Sequence, residues 1–223
     1  MNVNSSAINV LCFGDSNTYG QKTNGVGRHR PHDRWPGVLQ EKLGSGFNVI
    51  EEGLGGRTTN LEHPIKPGRN GKTYLAPCLH SHNPVDTIII MLGTNDLKTA
   101  YKRTAELVKT EIGGLIDDVR EYGLTNSGTV PKIILISPVH INTDAPLFKL
   151  LYAAAFNQES EAESKRLAPL LKTLAQEKGV TFIDAASAVK PGADGIHLEA
   201  ESAEPLASLI ATHIESVFKQ ATS

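Results

Sequence analysis

Short apolar segments alternate along the chain with longer segments that are apolar on one side only. The run Ile88-Ile89-Ile90-Met91-Leu92 is continuous, as expected for a parallel strand that is covered on both faces. We predict strands over 8–13, 47–51, 86–92, 132–137 and 180–183. We predict helices near 36–44, 102–122, 159–178 and 200–219. Strands and helices in alternation indicate an α/β fold with a parallel sheet covered by helices on both faces.

Three connections are longer than a strand–helix unit requires: 20–35, 60–85 and 138–158. Loops of this length in a compact domain are usually functional or disordered. The first contains a basic cluster at 28–34, which we interpret as a solvated loop because no aromatic residues interleave with the charges. The last ends in the apolar stretch 147–156, which is typical either of core packing or of an interface between subunits.

Composition narrows the class of protein. No Ser/Gly-rich or charge-rich linker divides the 223 residues, so we expect one domain over 1–223. Lys and Arg number 22 and Asp and Glu 24, a net charge of -2 that offers no general attraction to nucleic acid or to an anionic membrane. No apolar run approaches the ~20 residues that span a bilayer, and residues 1–6 lack the pattern of a secretion signal. We therefore expect a cytoplasmic protein whose partner is a small molecule.

The candidate chemistry begins at Gly14-Asp15-Ser16, directly after the first predicted strand. A serine hydroxyl at the point where a buried strand gives way to a helix is well placed for a nucleophile, and backbone N–H groups of the turn can face a developing negative charge. In isolation the same residues are also typical of a simple helix cap. The residues that follow the other predicted strands favour the nucleophile over the simple cap.

Three further turns follow predicted strands at the same edge of the sheet, where the carboxyl ends of parallel strands meet. Gly55-Gly56 follows the second strand; it fits neither a dinucleotide nor a phosphate loop, but it can present a bare backbone N–H. Asn95 follows the third strand and is either a helix cap or a donor to an oxyanion. Together with the N–H groups of Ser16 and Gly56, its amide would complete a hole with three donors.

Asp194 and His197 lie beyond the last predicted strand, three positions apart. At this spacing a carboxylate can reach the imidazole across one turn and fix its tautomer. The free ring nitrogen can then take the proton of Ser16 as a general base. A G-x-S-x-G motif is absent from the sequence, which excludes the usual α/β-hydrolase elbow.

These motifs resemble, in order and context, the four blocks of the SGNH hydrolases, also called the GDSL esterase/lipase family. The blocks are Gly14-Asp15-Ser16, Gly56, Gly93-Thr94-Asn95-Asp96 and Asp194-Gly195-Ile196-His197. The resemblance implies that Ser16 is the nucleophile, that Gly56 and Asn95 complete the oxyanion hole, and that Asp194 orients the base His197. It also implies a flavodoxin-like three-layer α/β/α sandwich and no cofactor. Asn17 stands where the name-giving motif has Leu, and we expect this departure to bear on substrate detail more than on mechanism.

Further segments are similar to the bacterial arylesterase/acyltransferase branch of that family. They are 34–39, 49–54, 57–60 and 90–96. Members of this branch hydrolyse short-chain esters, some transfer the acyl group to alcohols or hydrogen peroxide, and some form oligomers. The sequence differs from the branch in 20–35 and 138–158, so acyl transfer and a homo-oligomer are weaker implications than ester hydrolysis.

We therefore expect a serine esterase that acts on small acyl esters without a cofactor or a metal ion. Within the same mechanism, a carbohydrate-deacetylating esterase is the alternative. A different chemistry is metal-dependent phosphoester hydrolysis with Asp15, Asn95, Asp96 and His197 as ligands, but such sites usually gather more His and Asp. A catalytically silent binding module on the same fold is the non-enzymatic alternative.

Overall fold

The computed structural model describes residues 4–219. Residues 1–3 and 220–223 lie outside this description, and with them part of the N-terminal stretch on which the predicted compartment rests. Five parallel strands form one sheet in the order β2-β1-β3-β4-β5. They are β1 (Ile8–Gly14), β2 (Phe47–Gly53), β3 (Thr87–Met91), β4 (Lys132–Ser137) and β5 (Thr181–Asp184). This is the flavodoxin-like order, and the predicted strands are confirmed to within two residues at each end.

The α-helices lie between and after these strands. They are α1 (Ser16–Tyr19), α2 (Trp35–Leu43), α3 (Gly71–His82), α4 (Ala105–Tyr122), α5 (Phe148–Leu151), α6 (Gln158–Lys178) and α7 (Ala203–Lys219). Short 3₁₀ helices cover Pro31–Asp33, Gly44–Gly46, Thr94–Leu97, Thr99–Tyr101, Ala185–Ser187 and Ala200–Ser202. The four predicted helices are present as α2, α4, α6 and α7. No helix in the described part of the chain is long and apolar enough to cross a membrane.

The sheet separates two hydrophobic cores, because alternate side chains of a strand point to opposite faces. On one face, Leu11 and Phe13 of β1 pack with α3, α4 and α6. On the other face, Val10 and Cys12 of the same strand pack with α2 and α7. Both faces of the central strands are therefore buried, as the continuous apolar runs predict, and the protein is a three-layer α/β/α sandwich.

The prediction that 60–85 is a long connection is wrong for about half of its length, because α3 occupies Gly71–His82. The side chain of Asn70 caps this helix by accepting hydrogen bonds from the backbone N–H groups of Lys72 and Thr73. Glycine at the first position and Pro77 inside the helix lower its intrinsic propensity and hide it in the sequence. Burial of the apolar residues Leu75, Cys78 and Leu79 compensates.

The other two connections are more ordered than loops of their length usually are. The segment 138–158 contains α5, and Phe148 and Phe156, near the two ends of the apolar stretch 147–156, are buried in the core, as the core-packing interpretation expects. In the segment 20–35, Arg28 and Arg34 both pair with Glu51 at 2.7 Å. Part of the basic cluster therefore fastens its loop to β2.

Candidate active site

The turn after β1 holds Ser16 at the carboxyl edge of the sheet. A Cβ atom on Gly14 would lie 2.0 Å from Oγ1 of Thr18, so only glycine fits at the end of the strand. Asp15 caps α1, since its Oδ1 accepts a hydrogen bond of 2.9 Å from the backbone N–H of Asn17. The chain reverses here within four residues, and Ser16, although only 7% exposed, reaches the wall of a cavity.

The sequence separates Ser16 from His197 by 181 positions, and the fold brings them into hydrogen-bond contact. Nε2 of His197 lies 2.9 Å from Oγ of Ser16, and Nδ1 lies 2.7 Å from Oδ2 of Asp194. The other oxygen of Asp194 accepts from the backbone N–H groups of Ile196 and His197, at 2.9 and 2.8 Å. Asp194 is fully buried, so its carboxylate holds the imidazole in one orientation.

The loop that carries Asp194 and His197 is braced by the segment that follows β4. Gly195 has a φ of 77°, and a Cβ there would lie 2.1 Å from the carbonyl oxygen of Asn142. The backbone N–H of Asn142 donates to the carbonyl of Gly195 at 2.9 Å, and the N–H of Leu147 donates to the carbonyl of Ala193 at 2.8 Å. The position of the histidine therefore depends on the segment 138–158 as well as on its own loop.

Gly56 and Asn95 lie on the wall of the same cavity as Ser16. Gly56 has a φ of 81°, a conformation that glycine adopts readily. Asn95 lies within the 3₁₀ helix Thr94–Leu97 and is not its cap, because Gly93 occupies that position. Its Nδ2 donates to the carbonyl of Arg57 at 3.2 Å and approaches Oδ2 of Asp15 at 3.4 Å. The amide is thus held beside the serine turn and the glycine loop.

A buried guanidinium connects that glycine loop to the nucleophile turn. Nη1 of Arg57 donates to the carbonyl of Gly14 at 2.9 Å and also to the carbonyl of Glu52. The guanidinium lies over the rings of Phe13 and Tyr74, with centroid distances of 4.3 and 5.0 Å. Because Arg57 is only 2% exposed, its burial lowers the pKa of the group, and the nearby Glu52 carboxylate opposes that change.

A second buried network lies behind Asn95. The Asp96 carboxylate accepts from the backbone N–H of Thr59 at 3.1 Å and from its hydroxyl at 2.6 Å, and it pairs with Arg103 at 3.2 Å. Glu111 pairs with the same guanidinium. Burial raises the pKa of Asp96 to about 6, against the lowering effect of Thr59 and Arg103. These contacts fix the turn after β3 to the turn after β2.

Asn17 stands where the family motif has Leu, a departure expected from the sequence to bear on the choice of substrate. In the structure its side chain bonds to the loop that carries His197. Its Nδ2 donates to the carbonyl of Ile196 at 3.1 Å, and its Oδ1 accepts from the backbone N–H of Leu198 at 2.9 Å. The two backbone groups flank His197, and Asn17 itself is only 5% exposed. Asn17 therefore ties the histidine loop to α1, directly beside Ser16. Leu at this position could make neither bond.

The cavity at this edge of the sheet has a volume of about 580 Å³. Leu151, Tyr152, Ala155 and Phe156 line one side of it. The ring of Tyr152 packs edge-on against His197, with ring centroids 5.5 Å apart. Burial raises the pKa of Tyr152 to about 12, so its hydroxyl keeps its proton at neutral pH. This side can accommodate an apolar group next to the base.

The described residues contain one group of potential metal ligands, Glu52, Cys78 and His82, whose ligand atoms lie within 4.8 Å of one another. Glu52 already accepts from Tyr74 at 3.1 Å, contacts Nε2 of His82 at 2.8 Å, and lies 4.0 Å from the Arg57 guanidinium. Burial raises the pKa of Cys78 to about 12, which keeps the thiol protonated. In this structure the group is therefore a cluster held by hydrogen bonds next to the Arg57 guanidinium.

The phosphoesterase alternative needed Asp15, Asn95, Asp96 and His197 as shared ligands. Asp96 is instead hydrogen-bonded to Thr59 and paired with Arg103, while both ring nitrogens of His197 contact Asp194 and Ser16. The arrangement fits nucleophilic attack by an activated serine better than metal coordination.

Ser16, Gly56, Asn95, Asp194 and His197, the five predicted site residues, all belong to this arrangement. Sequence reasoning missed the supporting roles of Asn17, Arg57 and Tyr152. The first was visible as a departure from the family pattern. Nothing in the local sequence indicates that Arg57 is buried or that Tyr152 contacts the histidine.

Comparison with known proteins agrees with the family resemblance seen in the sequence. The sequence model of the GDSL-like Lipase/Acylhydrolase family matches residues 12–203, which include every predicted site residue. No curated protein sequence matches the chain at a significant level.

Several solved structures are similar over almost the whole chain. An aryl esterase from M. smegmatis is 37% identical with a TM-score of 0.84, and the match covers 94% of this chain and 99% of that one. A carbohydrate acetylesterase from Sinorhizobium meliloti is 35% identical with the same TM-score and the same coverage. A member of the lipolytic protein G-D-S-L family from Veillonella parvula has a TM-score of 0.67 at 16% identity, covers 92% of this chain and 97% of that one, and shows likeness of fold alone.

Proposed function

The chain belongs to the GDSL-like lipase/acylhydrolase family, a family of carboxylic ester hydrolases, and on that premise we propose that it is a serine esterase for small short-chain aryl and alkyl esters. The observation that carries the proposal is the continuous contact from Asp194 through His197 to Ser16, at 2.7 and 2.9 Å. A buried hydroxyl in contact with an oriented imidazole is the arrangement that activates serine for attack on an acyl group.

The proposed reaction has two steps, transfer of the acyl group to Ser16 and its release to water. Oγ of Ser16 attacks the ester carbonyl carbon while Nε2 of His197 takes its proton, and the negative charge collects on the carbonyl oxygen. The N–H groups of Ser16 and Gly56 and the side-chain amide of Asn95 stabilise this oxyanion. The imidazolium, stabilised by Asp194, then protonates the leaving alcohol, which leaves an acyl group on Ser16. Water repeats the sequence, and the acid and the free serine are released.

We also include acyl transfer in the proposal. An alcohol or hydrogen peroxide that enters the cavity in place of water would take the acyl group from Ser16 by the same proton transfers. The apolar side at Leu151 and Tyr152 supports binding of an alcohol, because it gives an organic acceptor a surface that water does not need.

The test is release of a chromogenic phenol from its acetate and octanoate esters, with and without added benzyl alcohol. We expect the wild type to prefer acetate and to form benzyl acetate. Ser16→Ala should lower kcat by at least about 10⁴-fold, because triad members act as a unit. Ser216→Ala is the matched control, since Ser216 is an exposed residue of α7 that bonds only to the carbonyl of His213. Retained activity in Ser16→Ala would refute the assignment of the nucleophile.

A second candidate is deacetylation of carbohydrates. It is supported by the similarity to the carbohydrate acetylesterase from Sinorhizobium meliloti, at 35% identity. The mechanism is the same, and the alcohol is a sugar hydroxyl. Acetate release from acetylated mono- and oligosaccharides, compared with release from phenyl acetate at equal concentration, distinguishes the two: a higher kcat/KM for the sugars would favour this candidate.

Three statements remain predictions from the sequence: a single domain over 1–223, a cytoplasmic compartment and a homo-oligomer. Light scattering of the purified protein tests the last of them. An oligomer disrupted by a charge at Leu150, which is 80% exposed next to the cavity, would support a role for the segment 138–158 in assembly.

A further inference from the structure

One wall of the active-site cavity is basic. Four residues that line it are His63, Lys66, Arg69 and Lys98, and we call them the basic wall. Among the described residues that line the cavity, none is Asp or Glu. The chain as a whole carries a net charge of -2, whereas the charged residues that line the cavity are positive.

The three cations of the basic wall have no carboxylate partner within ion-pair distance in the part of the chain that the structure describes. Other arginines near the site are paired: Arg57 with Glu52 and Arg103 with Asp96. Cations that line a cavity and lack a partner in the protein are free to bind an anion that enters it.

Arg69 stands beside the proposed oxyanion hole. Its Nη1 donates to the carbonyl of Pro67 at 2.8 Å and its Nε to the carbonyl of Gly55 at 3.4 Å. A Cβ atom on Gly56 would lie 3.7 Å from Cγ of Arg69, so the side chain passes directly over the glycine. These contacts hold the guanidinium at the rim and leave donors that can form a bidentate pair with a carboxylate or phosphate.

Lys98 and His63 complete the wall from two different loops. The backbone N–H of Lys98 bonds to the carbonyl of Asn95 at 3.4 Å, which places the lysine just beyond the oxyanion donor. Burial lowers the pKa of Lys98, and the Asp15 carboxylate opposes that change. The pKa of His63 is also lowered, by burial first and then by Lys98, Lys66 and Arg69. Its Nδ1 accepts from two backbone N–H groups, so Nε2 carries the proton and is a neutral donor.

Leu151, Tyr152 and Phe156 line the same cavity and give it an apolar surface. The cavity thus offers an apolar surface and a cationic surface within reach of the same Ser16. Resting on the proposed esterase function, we propose that the natural ester carries a small anionic group, a carboxylate or a phosphate, which binds the basic wall while an apolar part of the substrate lies against Leu151, Tyr152 and Phe156.

The experiment compares esters that differ only in charge. The first pair is 4-nitrophenyl hemiglutarate and its methyl ester, with the anion in the acyl half. The second pair is 4-acetoxybenzoate and its methyl ester, and the third is 4-acetoxyphenyl phosphate and its dimethyl triester, with the anion in the alcohol half. The readout is the ratio of kcat/KM for the anionic and the neutral member, after subtraction of the rate with Ser16→Ala. The pair with the largest ratio identifies the anion and its position.

We expect at least one ratio of about tenfold or more, and we expect it to fall with added salt because exposed charges are screened. The triple variant Lys66→Met, Arg69→Met, Lys98→Met should lower that ratio to about one. The single variant Lys66→Glu, at an exposed position, should lower it at least threefold and serves if the triple variant does not fold. Lys172→Met is the matched control, because it removes one exposed lysine of α6 that is not among the residues lining the cavity, and it should leave the ratio unchanged.

Ratios of one or below for all three pairs would overturn this inference and leave the esterase intact. An equal fall of both members in the basic-wall variants would overturn it too, since the cations would then act on the oxyanion and not on the substrate's charge. Failure of the wild type to cleave any of the six esters faster than Ser16→Ala would instead overturn the esterase function itself.

Discussion

The proposed catalytic residues and the basic wall belong to one site but differ in burial. Ser16, Asp194 and His197 are at most 7% exposed, and their polar atoms are engaged in short hydrogen bonds. In the basic wall Lys66 is exposed, and its neighbour Ile65 is 81% exposed. Atoms that react must be fixed to fractions of an ångström, so the fold buries them. Charges that attract a substrate act over several ångströms and need no such fixing. Substitutions at the buried side should therefore change turnover and stability together, whereas those in the basic wall should change only preference.

Among the buried residues around the proposed triad, the largest effect is expected at Asn95. Asn95→Ala removes one donor of the proposed oxyanion hole, and kcat for 4-nitrophenyl acetate should fall about 10²–10³-fold. The variant also leaves the carbonyl of Arg57 without its amide donor, so the thermal midpoint should fall as well. Asn24→Ala is the matched control, because Asn24 lies on an exposed loop and bonds only to the N–H of Val26. A decrease below tenfold would mean that other groups hold the oxyanion.

An intermediate effect is expected at Asn17. Asn17→Leu leaves the carbonyl of Ile196 and the N–H of Leu198 unpaired in a buried site, at a cost of about 1–3 kcal/mol in the free energy of unfolding. Because these groups flank His197, kcat should fall about tenfold while KM stays within twofold. Chemical denaturation and steady-state kinetics measure the two effects. A loss of stability with unchanged kcat would show that Asn17 holds the loop without positioning the base.

The smallest effect concerns the pH dependence of stability through Asp96. The folded carboxyl keeps its proton up to about pH 6, whereas an unfolded aspartate loses it near pH 4. Between these values the folded state binds more protons, so this group makes the free energy of unfolding fall as the pH rises. Asp96→Asn removes this titrating group. The stability of the wild type relative to the variant should decrease by about 1–3 kcal/mol from pH 4 to pH 7, measured by urea denaturation at each pH. A flat difference would contradict the raised pKa.

The strands could be predicted because each is a short apolar run bounded by turn residues, a signal that local sequence contains in full. The convergence of the five proposed site residues could be predicted because parallel strands end at one edge, which brings separate turns together. Helix α3 could not, since its glycine and proline obscure the pattern and only burial in the finished fold compensates. The roles of Asn17 and Arg57 depend on partners 179 and 43 positions away, and periodicity does not report such contacts.

The separation of Ser16 and His197 by 181 positions has a consequence for biosynthesis. At about 5–20 residues per second, a ribosome makes Ser16, the proposed nucleophile, about 10–40 s before it makes His197, the proposed base. During that interval the nascent chain has Ser16 but not His197, and Asn17 has no loop to bind. On the proposed mechanism, an unfinished chain does not hydrolyse esters. Ester cleavage by a translation mixture would report the completion of the chain. Release of the coloured phenol would begin only after synthesis of the N-terminal half of the chain.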